Sequence, residues 1–142
     1  MSRSIGLRWG SRSCSAPFPD WEFAAVDTIA ACGLHGALVV GAPVPVVEIE
    51  NCADKLRSFE VVLSRDGLEQ ARGVGANVLG SPLLAFAHLD EILSAQSRFQ
   101  PIQAGEIVST GTLTSIMPVS AGEKWSTTTS GIDVPGPSIS IA

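Results

Sequence analysis

Apolar residues occur in several short runs bounded by glycine or proline, which is typical of strands rather than of long helices. Residues 37–40 are apolar at every position and predict a buried strand. Residues 59–63 run toward Asp66-Gly67, and Asp-Gly between two strand-like runs predicts a hairpin that returns along residues 68–72. Further strands are predicted over residues 46–49, 107–113, 124–129 and 138–141.

Two main helices are predicted. Asp20 follows a proline-rich segment and can cap a helix over residues 21–32, which ends at Gly33. Ser81-Pro82 pairs an N-cap residue with a proline at the first helical position, and the residues that follow are amphipathic. The residues of the first helix that are expected to be buried are Trp21, Ala24, Ala25, Ile29 and Ala30. Many short strands and two main helices indicate an α+β domain dominated by β structure.

Composition narrows the functional classes. The chain has 142 residues, of which 45% are hydrophobic, and this suits one globular domain. Its net charge is −5 and it offers no positive stripe, so nucleic acid is not expected as a partner. No apolar run reaches the roughly 18–20 residues that cross a bilayer, so no membrane partner is expected either. The three cysteines lack metal-ligand spacing and indicate free thiols in a reducing, cytoplasmic location.

A glycine-rich stretch precedes the helix start at Ser81. Gly73, Gly75 and Gly80 imitate a dinucleotide-binding loop, but the third glycine has the wrong spacing and no βαβ unit surrounds the stretch. The simpler interpretation is that these glycines allow tight turning or close packing. The alternative is contact with a small anion at Ser81, because the free N–H groups and the dipole of a helix point there.

Three other places carry candidate chemistry, each with an alternative left open. His35 lies at a helix-to-strand corner, where it is either a proton-transfer group or a structural histidine bonded to a carbonyl. The Thr110-Gly111-Thr112 segment either lines a pocket or is ordinary strand sequence. Glu48 and Glu50 would share one face of a strand, which is either a hard-cation site or a solvated surface.

Six stretches carry a family resemblance: residues 19–23, 27–30, 33–41, 75–85, 104–113 and 130–132. They include Gly33-Leu-His-Gly-Ala-Leu-Val-Val-Gly41 and the Gly80-Ser81-Pro82 helix start. In order and spacing they resemble the C-terminal half of the fumarylacetoacetate hydrolase superfamily. The nearest branch is that of the 2-keto-4-pentenoate hydratases, which includes 2-hydroxypenta-2,4-dienoate hydratase and oxalocrotonate decarboxylase.

The resemblance implies a β-rich mixed fold of the fumarylacetoacetate hydrolase C-terminal type over residues 16–142. Residues 1–15 are then expected to be an irregular segment foreign to the family. The implied role is cytoplasmic catabolism of aromatic compounds, in which water is added to a 2-hydroxy-dienoate or 2-oxo acid. The implied cofactor is Mg²⁺ or Mn²⁺, which would stabilise a developing enolate.

The same match implies site residues. His35 is the candidate catalytic residue, because it is the only side chain around the implied pocket that is suited to proton transfer. The candidate substrate-binding residues for the small-molecule 2-oxo acid are Gly36, Gly80, Ser81, Thr110, Gly111 and Thr112.

The chain also departs from the family pattern. Family members are close to twice as long, and their N-terminal half supplies a lysine and a Glu-x-Glu pair of metal ligands. A third metal carboxylate normally precedes a Ser-Arg pair. Ser11-Arg12 matches that pair, but residues 7–10 hold no carboxylate, and Arg8 among them would repel a cation. No metal ligand is therefore assigned, and the cation is not expected to be bound by this chain alone.

Whether the chain is an enzyme stays open at this point. One hypothesis is a hydratase-type subunit that is inactive alone and whose missing ligands come from a complementing N-terminal half. A second is a truncated, non-catalytic remnant. A third is a subunit that binds 2-oxo acids or forms a homo-oligomer.

Overall fold

A four-stranded antiparallel sheet dominates the computed structural model, which describes residues 6–142. The spatial order of the strands is β6, β5, β7, β8. These strands are β5 (Glu60–Arg65), β6 (Leu68–Val74), β7 (Lys124–Ser130) and β8 (Ser138–Ser140). The predicted strands at residues 59–63, 124–129 and 138–141 are confirmed to within two residues at each end.

β5 and β6 form the predicted hairpin. Asp66 and Gly67 have φ angles of 51° and 82°, and a type I′ turn requires positive φ at both of its central residues. The turn is also tied to β7, because the N–H of Asp66 donates to the carbonyl of Lys124 at 2.8 Å. In return, the Asp66 carboxylate accepts the N–H of Lys124 at 2.9 Å.

Two small antiparallel sheets accompany the large one. β2 (Gly10–Cys14) pairs with β3 (His35–Val40), and β1 (Gly6–Leu7) pairs with β4 (Val44–Pro45). The strand predicted at residues 37–40 is confirmed. The irregular structure predicted for residues 1–15 is wrong for residues 6–7 and 10–14, because pairing with a partner strand overrides the weak strand propensity of this serine-rich sequence. Residues 1–5 of that prediction lie outside the described residues.

The described residues contain three α-helices, α1 (Ala25–Ala30), α2 (Cys52–Ser58) and α3 (Pro82–Ser94), where two main helices were expected. α3 starts as predicted. α1 is much shorter than the predicted helix at residues 21–32, because Asp20 and Trp21 have positive φ and cannot join it. Asp27 caps α1 by accepting the N–H of Ala24 at 2.8 Å, so the cap assigned to Asp20 is wrong.

Two predicted strands are absent from the described part of the chain. Residues 46–49 instead contain a 3₁₀ turn, Val46–Glu48. Residues 107–113 are irregular and pair with no strand. The carbonyl of Leu113 accepts a hydrogen bond from the side-chain amide of Asn77 at 2.9 Å, so a side chain takes the place of a ladder partner.

The core lies where β5, α2 and the segment after β7 meet. Its buried members are Ile49, Leu56, Phe59, Val61, Ile132 and Val134. Phe59 is only 3% exposed, and the ring of Trp9 packs against it edge to face at 5.5 Å. Since Trp9 immediately precedes β2, this contact connects the small β2–β3 sheet to the core.

The apolar residues of α1 and β3 are mostly exposed. All five residues that were expected to be buried in the first helix are exposed, including Trp21 at 54% and Ile29 at 78%. β3 was expected to be buried, but residues 35–39 are exposed and Val40 is half-buried. These predictions are wrong because no element of residues 6–142 packs over this region. Within the same residues, no helix has the length and apolarity needed to cross a membrane.

Glu123 closes the turn before β7. Its carboxylate accepts the N–H of Ser120 at 3.0 Å and the indole N–H of Trp125 at 2.9 Å, and it lies 3.2 Å from the guanidinium of Arg65. These contacts hold the pKa of the Glu123 carboxyl below its ordinary value. The hydrogen bond from the Ser120 N–H contributes most, the one from the Trp125 indole contributes less, and Arg65 adds to both.

Replacing Phe59 by alanine should lower the free energy of unfolding by about 3–5 kcal/mol, because the change leaves a cavity in the core. Phe99→Ala is the matched control, since Phe99 is 60% exposed, and it should change stability by less than about 0.5 kcal/mol. Urea unfolding measures both values. Similar losses for the two variants would contradict the placement of Phe59 at the centre of the core.

Stability should fall on acidification in part because of Glu123. A carboxyl whose pKa is lowered on folding stabilises the folded state above its unfolded pKa, and this contribution is lost as pH falls through the folded pKa. The loss is therefore expected below roughly pH 5. Unfolding curves between pH 7 and pH 3 should show a shallower pH dependence for Glu123→Gln than for the unmodified chain. Parallel curves would show that the hydrogen bonds of Glu123 do not favour its charged form.

Candidate functional site

The start of α3 places a buried hydroxyl at the positive end of a helix. Ser81 is 6% exposed, and its Oγ accepts the N–H of Leu83 at 3.3 Å, as expected of an N-cap. The chain enters the helix through a tight turn in which Leu79 and Gly80 both have positive φ, and the N–H of Ser81 donates to the carbonyl of Val78 at 2.8 Å. Carboxylates bind favourably at such helix starts.

The Thr110-Gly111-Thr112 segment packs close to this turn. Gly111 has a φ of 132°, which favours glycine, and a Cβ added to it would lie 3.4 Å from Cγ1 of Val78. Val78 in turn holds Ser81 through the backbone hydrogen bond. Gly111 and Ser81 therefore both lie close to Val78, with Thr110 half-buried and Thr112 exposed. That the two segments form one substrate site stays a prediction.

His35 follows a sharply turned backbone. Three successive residues, Cys32, Gly33 and Leu34, have φ angles of 52°, 67° and 57°. The N–H of Ser15 donates to the carbonyl of Leu34 at 3.0 Å, and the guanidinium of Arg12 donates to the carbonyl of Gly33. Leu34 is buried, which anchors the turn, and His35 itself is exposed.

Gly36 lies against β2. A Cβ on Gly36 would approach Oγ of Ser13 to 2.8 Å, so a side chain there would displace the hydroxyl. That hydroxyl accepts the N–H of Ala37 at 2.9 Å. The close approach explains the need for glycine at this position by packing alone.

His35 and Ser81 belong to different parts of the fold. β3 is attached to the core at its far end, where the N–H of Gly41 donates to the carbonyl of Trp9 at 2.8 Å. His35 lies six residues before Gly41, roughly 20 Å along the strand. The grouping of His35 with Ser81 and the 110–112 segment in one site therefore stays a prediction.

An open cavity of about 230 Å³ adjoins Ser81. Its other lining residues are Ala53, Asp54, Arg57, Leu83 and Leu84. Arg57 adds a positive charge next to the helix start, whereas Asp54 adds a negative one. Arg57 was not predicted as a site residue because it lies on α2, a seven-residue helix whose only local signal is a lack of glycine and proline.

A second open cavity, of about 380 Å³, lies beside β1 and β4. Arg8 and Glu106 line it together with apolar and glycine residues, namely Gly6, Pro43, Pro45, Gly105 and Ile107. No residue predicted to bind substrate lines this cavity.

The residues present do not fit a divalent cation. Among residues 6–142, no group of three or more His, Cys, Asp or Glu side chains could hold a metal. Glu48 ends a 3₁₀ turn and Glu50 follows it, so the prediction that both share one face of a strand is wrong. The guanidinium of Arg8, in the segment where the family pattern has a carboxylate, donates to the carbonyl of Gly41 at 3.4 Å.

The cysteines are free thiols, as predicted. Cys32 is exposed, while Cys14 and Cys52 are half-buried. Burial raises the pKa of the Cys52 thiol, and the positive charge of Lys55 opposes that shift. Since the thiolate is the reactive form, the raised pKa argues against Cys52 as a nucleophile.

Known proteins resemble this chain over part of their length. The chain is 29% identical over 114 residues to the TodF product hydratase of Pseudomonas putida F1, a match that covers 80% of this chain and 40% of that protein. It is 32% identical over 116 residues to 2-keto-4-pentenoate hydratase 1 of Dechloromonas aromatica, covering 80% and 41%. No protein-family model matches the chain.

A solved structure resembles the fold. The 4-oxalocrotonate decarboxylase from Pseudomonas putida G7, complexed with magnesium and adipate, superposes with a TM-score of 0.79 at 24% identity. The superposition covers 94% of this chain and 48% of the decarboxylase. At that identity the likeness establishes the mixed helix-and-sheet fold and nothing further.

The chain spans about two fifths of the length of the curated relatives it matches. Sequence and fold together make it a relative of the 2-keto-4-pentenoate hydratases and of 4-oxalocrotonate decarboxylase, which are proteins of the fumarylacetoacetate hydrolase type.

Proposed function

We propose that this chain supplies the substrate-holding part of a hydratase-type site for a small 2-oxo acid or 2-hydroxy-dienoate, in the catabolism of aromatic compounds. The observation that supports the proposal is that Gly111 lies close to Val78, whose carbonyl accepts the N–H of the buried residue Ser81. We propose further that residues 16–142 correspond to the C-terminal part of the hydratase domain.

The helix start at Ser81 suits the carboxylate end of such a substrate. The helix dipole favours negative charge at this end of α3. The N–H groups of the first turn are already bonded, since that of Leu83 donates to Ser81 Oγ and those of Leu84 and Ala85 donate to the Ser81 carbonyl. The proposed donor to a ligand is therefore the Ser81 hydroxyl itself.

Arg57 lines the cavity beside Ser81 and attracts an anion, while Asp54 in the same lining opposes it. Thr110 and Thr112 do not line this cavity, and their hydroxyls are proposed to donate further hydrogen bonds to the substrate. The solved decarboxylase relative carries adipate, a dicarboxylate, which shares the carboxylate end with the proposed substrate.

His35 is the proposed proton-transfer residue. Its imidazole is exposed at the start of β3, and the turn before it is held by Arg12 and Ser15, so the backbone direction at His35 is fixed. The imidazole can reach a substrate at Ser81 only when the complete site brings the two regions together.

Catalysis is proposed to require metal ligands from outside residues 6–142. The decarboxylase relative binds magnesium, and the hydratases need Mg²⁺ or Mn²⁺ by family resemblance. No residue of this chain is assigned to the cation, since Arg8 lies in the segment where a carboxylate is needed. The chain is thus proposed to be inactive alone and complemented by the half that carries the metal ligands.

A non-catalytic role is the alternative proposal. The exposure of His35 and its absence from the lining of the cavity beside Ser81 favour it, because neither feature holds the imidazole against a substrate. In that case the chain binds a 2-oxo acid without turning it over, or serves as an oligomerisation subunit.

The purified chain alone should turn over 2-hydroxypenta-2,4-dienoate with Mg²⁺ at no more than the uncatalysed rate, because the main stabiliser of the enolate is missing. The loss of dienoate absorbance measures this directly. Clear Mg²⁺-dependent turnover by the chain alone would contradict the proposed need for a second half.

Calorimetric titration of Mg²⁺ with oxalate into the purified chain distinguishes the catalytic proposal from the non-catalytic one. Oxalate mimics the chelating end of a 2-oxo acid. Binding is expected only after addition of the N-terminal half of a related hydratase. Binding by the chain alone would mean that it contains a complete site, and absence of binding in both cases would favour the non-catalytic remnant.

Ser81→Ala should lower the free energy of unfolding by about 1 kcal/mol through loss of the helix cap. In the complemented mixture it should also weaken oxalate binding by about tenfold, which corresponds to one charge-assisted hydrogen bond. Ser94→Ala, at the exposed opposite end of α3, is the matched control and should change neither quantity. Unchanged oxalate affinity for Ser81→Ala would remove Ser81 from the proposed site.

A further inference from the structure

β3 exposes a run of apolar residues. Residues 36–41 contain no charged side chain, yet Leu38 is 37% exposed and Val39 is 41% exposed. Successive residues of a strand point to opposite faces, so apolar surface is exposed on both faces of β3. Strands that are apolar on both faces are typical of sheets covered on both sides.

One edge of β3 also lacks a partner strand within residues 6–142, because β2 and β3 form a two-stranded sheet. The N–H groups of Ala37 and Gly41 point toward β2, where they donate to Ser13 and Trp9. Backbone groups alternate in direction along a strand, so those of Leu38 and Val40 point away from β2. We call the outward backbone groups of Leu38 and Val40 the β3 free edge.

The large sheet has a protected edge for comparison. Its edge strand β6 carries Glu69 and Arg72, which form an ion pair at 2.9 Å, and Arg72 also lies 3.4 Å from Glu60. Charged side chains on an edge strand oppose pairing with another chain. The β3 free edge has no such protection, which distinguishes it from an edge that is meant to face water.

The apolar surface continues into the preceding helix. Val26 and Ile29 of α1 are 70% and 78% exposed, and a 3₁₀ turn, Cys32–Leu34, joins α1 directly to β3. A covering element that reached only the strand edge would leave these residues bare. The occupant must therefore be larger than a short peptide.

The comparisons indicate the size of the occupant. The decarboxylase fold contains 94% of this chain, but this chain accounts for only 48% of that fold. We propose that the β3 free edge is where a polypeptide equivalent to the remaining half of the relatives docks, adding a strand that covers Leu38 and Val39. The inference rests on the proposed function and deepens it, since the added strand would run beside His35.

A second copy of the chain is the less favoured occupant. Each copy carries a net charge of −5, so two copies repel one another. If the β3 strands of two copies paired with each other, the metal ligands would still be missing from both copies.

The test is titration of the full chain with the N-terminal half of Dechloromonas aromatica 2-keto-4-pentenoate hydratase 1, followed by calorimetry and by amide hydrogen exchange. Exchange at Leu38 and Val40 should be fast in the free chain and slow by at least tenfold in the complex. The amides of Ala37 and Gly41 are hydrogen-bonded in both states and should change little. Protection that is confined to other parts of the chain would overturn the proposal.

Three variants sharpen the test. Leu38→Lys and Val39→Lys should each weaken binding of the added half by at least tenfold, because lysine on an edge strand opposes docking. Leu68→Lys is the control, since Leu68 is 70% exposed on β6, and its affinity should be unchanged. Circular dichroism of each variant confirms that the fold is kept, and the exchange measurement on the unmodified chain does not depend on any variant.

The outcomes separate this inference from the proposed function. Oxalate binding that survives Leu38→Lys in the mixture would overturn the docking edge and leave the proposed function standing. Protection of Leu38 and Val40 without oxalate binding would support the edge and overturn the function. Failure of the unmodified chain to bind the added half, or protection that rises with the concentration of the chain alone, would overturn the docking proposal.

Discussion

Packing of backbone against backbone around Phe59 determines where the candidate site lies. The N–H of Gly75 donates to the carbonyl of Phe59 at 2.9 Å, and a side chain on Gly75 would overlap the carbonyl of Leu56. Gly131 also packs against Phe59, and its φ of 81° favours glycine. Because only glycine permits the close approach at Gly75, the chain leaves β6 in one direction and reaches Ser81 six residues later.

The molecule divides into a packed part and an uncovered part. The packed part contains the large sheet, α2 and the core, and it holds Ser81 and the 110–112 segment. The uncovered part contains α1 and the β2–β3 sheet, and it holds His35. Regions with few buried apolar contacts open at a lower free energy than the core, so the β2–β3 sheet is the less stable of the two. Edge-to-face contact of Trp9 with Phe59 is one of the few apolar links between them.

Local signals in the sequence predicted those elements that local interactions determine. The Asp66-Gly67 turn and the Ser81-Pro82 helix start are each specified within a few residues, and both are confirmed. Elements that depend on distant partners were predicted less well. β2 exists because β3 pairs with it, and residues 107–113 are irregular although their sequence suits a strand. The burial expected for Ile29 failed for a related reason, since a pattern can specify an apolar surface but not the element that covers it.

The same division explains why the candidate site was only partly predictable. Gly111 and Ser81 are 30 positions apart in the sequence, and no local pattern connects them; what links them in the fold is that both lie close to Val78. His35 is separated from both by the boundary between the packed and the uncovered part. Any element that covers β3 must stabilise the strand on which His35 stands, and it does so by burying Leu38 and Val39. Burial of apolar surface at the β3 free edge is therefore coupled to the orientation of the His35 imidazole. As the affinity for the covering polypeptide rises, the imidazole should become more ordered.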